Sequence, residues 1–350
     1  MAPGDKFAKY RRLTETARAP TWPGWVGAGV LLVIAIAAWM HAVPVYFPSA
    51  DTEGPVSTFT FRTFAGAPSA PQIAGWKKPG ELAVVFFDVG QGDGAFIQTP
   101  RGKNILIDSG EGKTPDSKYL KSIDAANRVI LPFLRQIGVT HLDIVMASHP
   151  HSDHMGSMHE ILGDRNLTIG QLWVSGFIYP TASNKKLLTT AKRRQIPVYA
   201  PKIADLPVKL DIGSDAAAYI LYADPNAEGA NNSSIILKLI YGRVTFLFSG
   251  DAEEAEEKAC ALRWGNELKA DILKVGHHGS KTSSTAVFLN LIRPDAAIIS
   301  AGSYNTFGHP NPGVMKRLES MKTKIYRTDE QGTIFVFSDG KSYRVEPSRL

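Results

Sequence analysis

The run LDIVMASHPHSDHMGSMHEIL, residues 142–162, governs how the rest of the chain is read. Its first part, LDIVMA, is a short unbroken apolar stretch of the kind that forms a buried strand. Its second part sets His149, His151, Asp153 and His154 within six positions of a chain that has only nine histidines. A loop turning back over a strand end can aim alternate side chains, His149 and His151, at one point. Asp153 and His154 then turn toward a second point a few ångströms away, and two cations can share such a loop. Imidazole and carboxylate donors without thiolate suit zinc, or manganese and iron in a more oxygen-rich site. A polar loop whose histidines merely hydrogen-bond is the bland alternative, and four ligand-type residues at this spacing after a strand weigh against it.

The same punctuation recurs on either side. ELAVVFFDVG, AFIQTP and KNILIDSG precede the loop, and SSIILKLIYG, RVTFLFSGD, ADILKVGHHGS, DAAIISAGS and TIFVFSDG follow it. Each is a short apolar run closing on Gly, Asp, Pro or another polar residue, which reads as a buried strand with its chemistry at the carboxyl end. Residues 123–137, 183–195 and 252–263 read as helices between them. The chain is therefore expected to be α/β in two halves, and it carries no short-period repeat.

At 350 residues with 44% hydrophobic residues the chain can bury a substantial core. The single cysteine, Cys260, excludes an intramolecular disulfide and a cysteine-rich zinc site. The net charge of +6 is unevenly placed: residues 1–80 hold eight of the 39 Lys/Arg and four of the 33 Asp/Glu, leaving only +2 from Glu81 onward. Global charge is thus weak support for a polyanionic partner. From Ala19 to Ala50 there is no charged residue, and Trp25 and Trp39 bracket the apolar centre WVGAGVLLVIAIAAWM. A bilayer core of ~30 Å needs about 20 helical residues, and aromatic residues favour its interfaces. The expected organisation is a cytoplasmic basic segment (1–21), a transmembrane anchor (22–43), a Pro-rich linker (44–79) and an extracytoplasmic domain (80–350). A signal peptide cleaved near Ala42, giving a secreted protein, is the rival reading.

ILIDSG (105–110), SHPHSDH (148–154), FLFSGD (246–251) and LKVGHHGS (273–280) occur in the order and rough spacing of metallo-β-lactamase-fold hydrolases. More narrowly, FDVGQGDGAFIQTP, NNSSIILKL, FSGDAE, HHGSKTSS and NTFGHPNP resemble the extracytoplasmic hydrolase domain of ComEC-type DNA-uptake competence proteins. The resemblance covers about residues 81–345. It implies a four-layer αββα sandwich, a metal-dependent hydrolase, and two divalent cations, zinc or manganese, with a single cation as the alternative. It makes Asp251 the carboxylate bridging the two cations and the His277–His278 pair the source of the last ligand. His277 is favoured because it directly follows ILKVG, although the sequence leaves the two open. Asp108, and with it Asp88, would be outer carboxylates, Asp108 orienting a ligand histidine.

Two departures stand out. No histidine lies between His159 and His277, where many such hydrolases place a ligand, so Asn231 or Asn232 with water would fill in. Competence domains also often carry Asp where this chain has His151, and they belong to proteins with many membrane helices. Only one segment here can span, so this chain is not itself a DNA channel.

Ser280, Lys281 and Ser283 are a natural cradle for phosphate oxygens, or simply a helix cap. Gln91, Asp93, Asn232, Asn305 and His309 are placed on the substrate side. Asp153, Asp251, His278 and His309 are the expected catalytic residues, His278 or His309 protonating the leaving oxygen. The expected reaction is phosphodiester hydrolysis by cation-activated water, with DNA as first substrate. A cell-envelope phosphodiester, a carboxylic ester or lactone, and a non-catalytic DNA-binding module are the alternatives. Lys185, Lys186, Lys192, Arg193 and Arg194 either touch a nucleic-acid backbone or form a solvated face. His41 reads as interfacial, and His141 and His159 as ordinary.

Overall fold

The computed structural model describes residues 76–113 and 123–349. The expected basic segment, membrane anchor and most of the linker lie outside the described residues. Among those described, no helix is long and apolar enough to cross a membrane.

Every run read as a strand from its apolar pattern forms one. The first sheet contains β1 (Leu82–Phe86), β2 (Ala95–Gln98), β3 (Asn104–Ile107), β4 (His141–Met146), β5 (Thr168–Trp173) and β6 (Val198–Tyr199). The second contains β7 (Val208–Leu210), β8 (Ala217–Tyr222), β9 (Ile236–Tyr241), β10 (Val244–Phe248), β11 (Ile272–Lys274), β12 (Ala296–Ile299) and β13 (Lys324–Arg327). The chain then returns to the first sheet with β14 (Ile334–Ser338) and β15 (Tyr343–Pro347). The orders are β15-β14-β1-β2-β3-β4-β5-β6 and β13-β12-β11-β10-β9-β8-β7. Each sheet is antiparallel on one side and parallel on the other, the parallel runs being β3 to β6 and β10 to β13.

The unbroken apolar runs follow from burial on both faces. Along β1, Leu82, Val84 and Phe86 enter the core between the two sheets, where Phe86 stacks on Phe248 with ring centres 5.8 Å apart. Ala83, Val85 and Phe87 face the opposite way, toward helices α1 (Leu131–Gln136), α3 (Met158–Gly163) and α4 (Ala182–Arg193), as the two-residue period of a strand requires. α1 grows out of a π-helical turn at Ala126–Ile130, and Pro132 sits in its first turn, where a missing N–H costs nothing. Helices α5 (Glu254–Trp264), α6 (Ala286–Ile292) and α7 (Pro312–Ser320) follow strands of the second sheet and bury Cys260, Trp264, Phe288, Leu289, Val314 and Leu318.

The packed unit reaches further back than the expected boundary at residue 80. Trp76, counted with the linker, is 8% exposed and meets Phe133 edge-on at 5.8 Å. A Pro-rich context conceals a single large apolar residue from any periodicity.

Candidate metal centre

In open α/β sheets the parallel strands deliver their following loops to one edge. Asp108 follows β3, the His149–His154 loop follows β4, Asp251 follows β10, His277 and His278 follow β11, and Ser300 follows β12. These loops meet at a cleft of about 310 Å³ lined by, among others, His151, Asp153, Asp251, His277, His278 and His309.

Helix α2 (Ser152–Met155) starts inside the histidine loop, so His154 is carried inward while His151, the residue before it, is half-buried at the cleft. His154 presents Nδ1 to Asp108 Oδ2 at 2.9 Å and Nε2 to Asp251 Oδ1 at 3.1 Å. Asp108 is itself held by the Ser148 backbone N–H and hydroxyl, both at 2.7 Å. His278 presents Nδ1 to the Ser300 carbonyl at 3.0 Å, and its Nε2 lies 3.3 Å from Asp153 Oδ2 and 3.6 Å from Asp251 Oδ2. The two Nε2 atoms are 3.3 Å apart. With each Nδ1–H committed to an oxygen, both Nε2 atoms offer lone pairs to the same point, which is the arrangement of metal ligands.

Asp93, His154, Asp251 and His278 each bring one ligand-type atom within 4.8 Å of the others. Asp93, however, approaches from behind. It lies 3.2 Å from His278 Nδ1 and 3.9 Å from His154 Nδ1, and its other partner is the buried Lys274 ammonium at 2.7 Å. It is therefore an outer carboxylate, not the substrate-side residue expected from VGQGDG. The groups that face one another inside are His154 Nε2, His278 Nε2, Asp153 and Asp251. Gly92 fixes this wall: at φ +140° any Cβ there would collide with the Asp153 carbonyl oxygen.

The second set is His149, His151 and, shared with the first, Asp251. His149 Nε2 lies 3.0 Å from His151 Nδ1 and 3.8 Å from Asp251 Oδ2. Asp251 thus stands between two histidine pairs, and its buried Oδ1 has His154 Nε2 3.1 Å away as its near neighbour. A buried carboxylate oxygen whose near neighbour is an imidazole nitrogen able to turn a lone pair to the same point fits a divalent cation well.

Electrostatics agree. Burial opposes charge on His154, but Asp251 and Asp108 outweigh it and hold the imidazole well above its ordinary pKa. His278 is raised to about 10 in the same way, burial being outweighed by Asp251 and Asp93. Burial would raise Asp251, yet His154, His278 and His277 pull it well below the usual range. Asp93 is lowered to about 2, burial being overcome first by Lys274. His149 and His151 go the other way, lowered first by burial. A pocket that forces protons onto buried imidazoles is one that calls for positive charge.

The remaining expected residues are dispersed as follows. His277, favoured as the last ligand, is the more exposed of the pair. Its Nδ1 lies 3.3 Å from Glu253 and its Nε2 3.8 Å from Asp251, so His278 is the member inside the buried cluster. Both residues adopt left-handed backbone, φ 48° and 52°, a strain of about 1–3 kcal/mol each that surrounding structure must enforce. Asp88 pairs with Arg349 at 2.6 Å, away from the cluster. Gln91 lines the cleft, and its Oε1 accepts from Gly302 N–H. Asn232 turns to Glu253 and the Glu228 carbonyl.

Ser280 pairs with Thr282 and Ser283 donates to the Ala252 carbonyl, both buried, while Lys281 is exposed. These three build the turn and are not among the cleft-lining residues. Asn305 clamps its loop through the Gly302 and His309 carbonyls and the His309 N–H. That presents His309, whose pKa is lowered to about 4 by burial and then by His278 and His277.

Ser148, Lys274, Glu253 and Tyr179 join the site without standing out in the sequence. Lys274, a lone cation in an otherwise apolar strand, was the one legible signal.

A family model described as Metallo-beta-lactamase superfamily matches residues 87–303. The chain is similar to ComE operon protein 3 of Bacillus subtilis, at 31% identity over 73% of this chain and 33% of that protein. It is also similar to Competence protein ComA of Neisseria gonorrhoeae, at 29% identity over 73% of this chain and 32% of that protein. The chain thus spans about a third of the length of these relatives. The solved structure of the metallo-beta-lactamase fold protein YhfI from Bacillus subtilis aligns at 12% identity with a TM-score of 0.43, covering 70% of this chain and 95% of that one.

Proposed function

Because the chain belongs to the metallo-β-lactamase superfamily, we propose that it is a membrane-anchored, metal-dependent phosphodiesterase whose first substrate is DNA. The observation that carries the reading is Asp251, a buried carboxylate shared by His154 and His278 on one side and His149 and His151 on the other, at the floor of an open cleft. His154, His278, Asp153 and Asp251 would hold one cation, and His149, His151 and Asp251 the other. Bound divalent cations, zinc or manganese, would acidify water and offset the charge that grows on phosphoryl oxygens. Asp108, the Ser300 carbonyl and the Asp93–Lys274 pair keep the imidazoles in the tautomer that leaves Nε2 free. His278 has both nitrogens committed, and His309, lowered to about 4 and so neutral at pH 7, could accept a proton from attacking water at the cleft, the leaving oxygen taking its proton from solvent.

DNA is preferred over an envelope phosphodiester or an ester because the motifs resemble the DNA-uptake domain, and because Lys185, Lys186 and Arg193 are exposed on α4, whose N-cap Thr181 lines the cleft. The anchor rests on the charge-free run over 22–43 with basic residues before it. External protease on intact cells should then release the folded domain and spare residues 1–20.

The decisive test is turnover by the full-length chain in detergent, supplied with Mn²⁺ or Zn²⁺, on bis-(p-nitrophenyl) phosphate, single- and double-stranded DNA and p-nitrophenyl acetate. Phosphodiester cleavage abolished by chelation is expected. Hydrolysis of the acetate alone, or of nothing, would overturn the proposal.

A further inference from the structure

His149, His151 and Asp251 give their cation three protein donors, and no further histidine lies between His159 and His277 to add a fourth. We propose that His277 and Asn231, both aimed by Glu253, complete this position, so that the adjacent histidines His277 and His278 serve different cations. The inference rests on the metal-dependent reading above.

Three observations converge. First, His277 Nε2 lies 3.8 Å from Asp251 Oδ2, the same oxygen that lies 3.8 Å from His149 Nε2. Its Nδ1 is 3.3 Å from Glu253 Oε1 and 3.4 Å from Thr282 Oγ1. The proton therefore belongs on Nδ1 and the lone pair on Nε2, the same carboxylate-to-imidazole arrangement that Asp108 makes with His154. Second, Asn231 lines the cleft beside His151 and Asp251. Its Nδ2 donates to Glu253 Oε1 at 3.4 Å, and turning the amide over would set two oxygens against each other. Its Oδ1 is thereby directed away from Glu253, and it is buried with no donor to accept from. An amide oxygen left bare in this way is what a harder divalent cation takes.

Third, consecutive left-handed residues at 277 and 278 throw neighbouring side chains apart. His278 enters the buried cluster and His277 stays at the cleft. Gly279 must follow without a side chain, because a Cβ there would lie 2.7 Å from Pro310 Cβ. Glu253 is a positioning residue. It stands two places after Asp251 and also holds Thr282 Oγ1 at 2.8 Å and Asn232 through both its carboxylate and its backbone N–H. Any shift of Asp251 thus carries with it the group that orients the other donors.

The test is Co²⁺ titration of the chelator-stripped full-length chain in detergent, read by visible absorption and by metal content. The wild type is expected to take two equivalents. His277→Ala and Asn231→Ala should each weaken one equivalent by about 10–100-fold and spare the other, while His278→Ala weakens the one they spare. Glu253→Gln should weaken the same equivalent as His277→Ala and Asn231→Ala, and adding it to the His277→Ala/Asn231→Ala pair should weaken that equivalent no further, since Glu253 acts through those two ligands. The equivalent that each variant spares reports that its fold survives the substitution. Unchanged binding in His277→Ala, or weakening of the equivalent that His278→Ala also weakens, would overturn the assignment and leave the phosphodiesterase reading intact. Variants behaving as expected in a chain that cleaves no phosphodiester would support the assignment and overturn that reading alone.

Discussion

His154 directs Nδ1 to Asp108 and His278 directs its own to the Ser300 carbonyl, with Asp93 and Lys274 packed behind both. His149 and His151 instead touch each other at 3.0 Å, and His151 stands beside Tyr179 with ring centres 5.4 Å apart. The first pair is braced from behind at both outer nitrogens; in the second, His149 is buried with its Nδ1 3.2 Å from Ser148 Oγ, and His151 is half-buried at the cleft. The difference teaches a division of labour. A ligand whose outer nitrogen is locked loses little freedom on binding a cation and holds it tightly. A ligand at the cleft mouth can yield coordination space to a substrate oxygen. The two pairs also differ in charge preference, the braced one favouring protons and the open one rejecting them.

The largest effect should come from removing what the pairs share. Asp251→Ala is expected to lose both cations and to depress turnover well beyond the roughly 10–100-fold typical of outer-residue changes. Metal analysis after gel filtration checks it, and retention of both cations at full rate would erase the comparison. Asp108→Asn should split the pairs. Binding at the His154 side should fall about 10–100-fold, with the His149 side unchanged, as seen by competition with a chelating dye.

A smaller effect is expected in stability against pH for the cation-stripped chain. His154 and His278 have raised pKa values, so their contribution is full below about 6.5. For His278 it is lost as pH climbs toward about 10. His149 and His151 are lowered, so they withdraw stability as pH falls below about 6.5. The melting temperature should therefore peak near neutrality and decline on the alkaline side, and added Zn²⁺ should flatten the alkaline limb by replacing the protons. A monotonic rise to pH 10 would contradict the braced pair's charge preference.

The smallest effect concerns the surface beyond both pairs. Neutralising Lys185, Lys186 and Arg193 should leave bis-(p-nitrophenyl) phosphate turnover alone and raise KM for DNA. The slope of log K against log salt should flatten by about 0.7–0.9 for each phosphate that the helix no longer neutralises. Arg194 is excluded because it donates to the Gly163, Asp164 and Leu167 carbonyls and holds α4 in place.

The order of residues alone carries most of the strands that are buried on both faces, β8 excepted, and the loop in which the histidines cluster. A doubly covered strand such as β1 must be apolar throughout, and a cation pair needs its donors close in sequence, so both leave local marks. β5 was not legible because its outer positions alternate with exposed ones, and β15 because it is an edge strand with only partly buried residues. Neither needs an unbroken apolar run.

Other features were settled by folding in three dimensions. His277 and His278 are equivalent in sequence, and they part only because both take left-handed backbone against Gly279 and Pro310. Asp93 reads as a substrate-side residue, and becomes an outer carboxylate because β11 brings Lys274 to it across 181 positions of chain. Which side of an imidazole a carboxylate approaches depends on the packing of two sheets and their loops, and no local spacing encodes it.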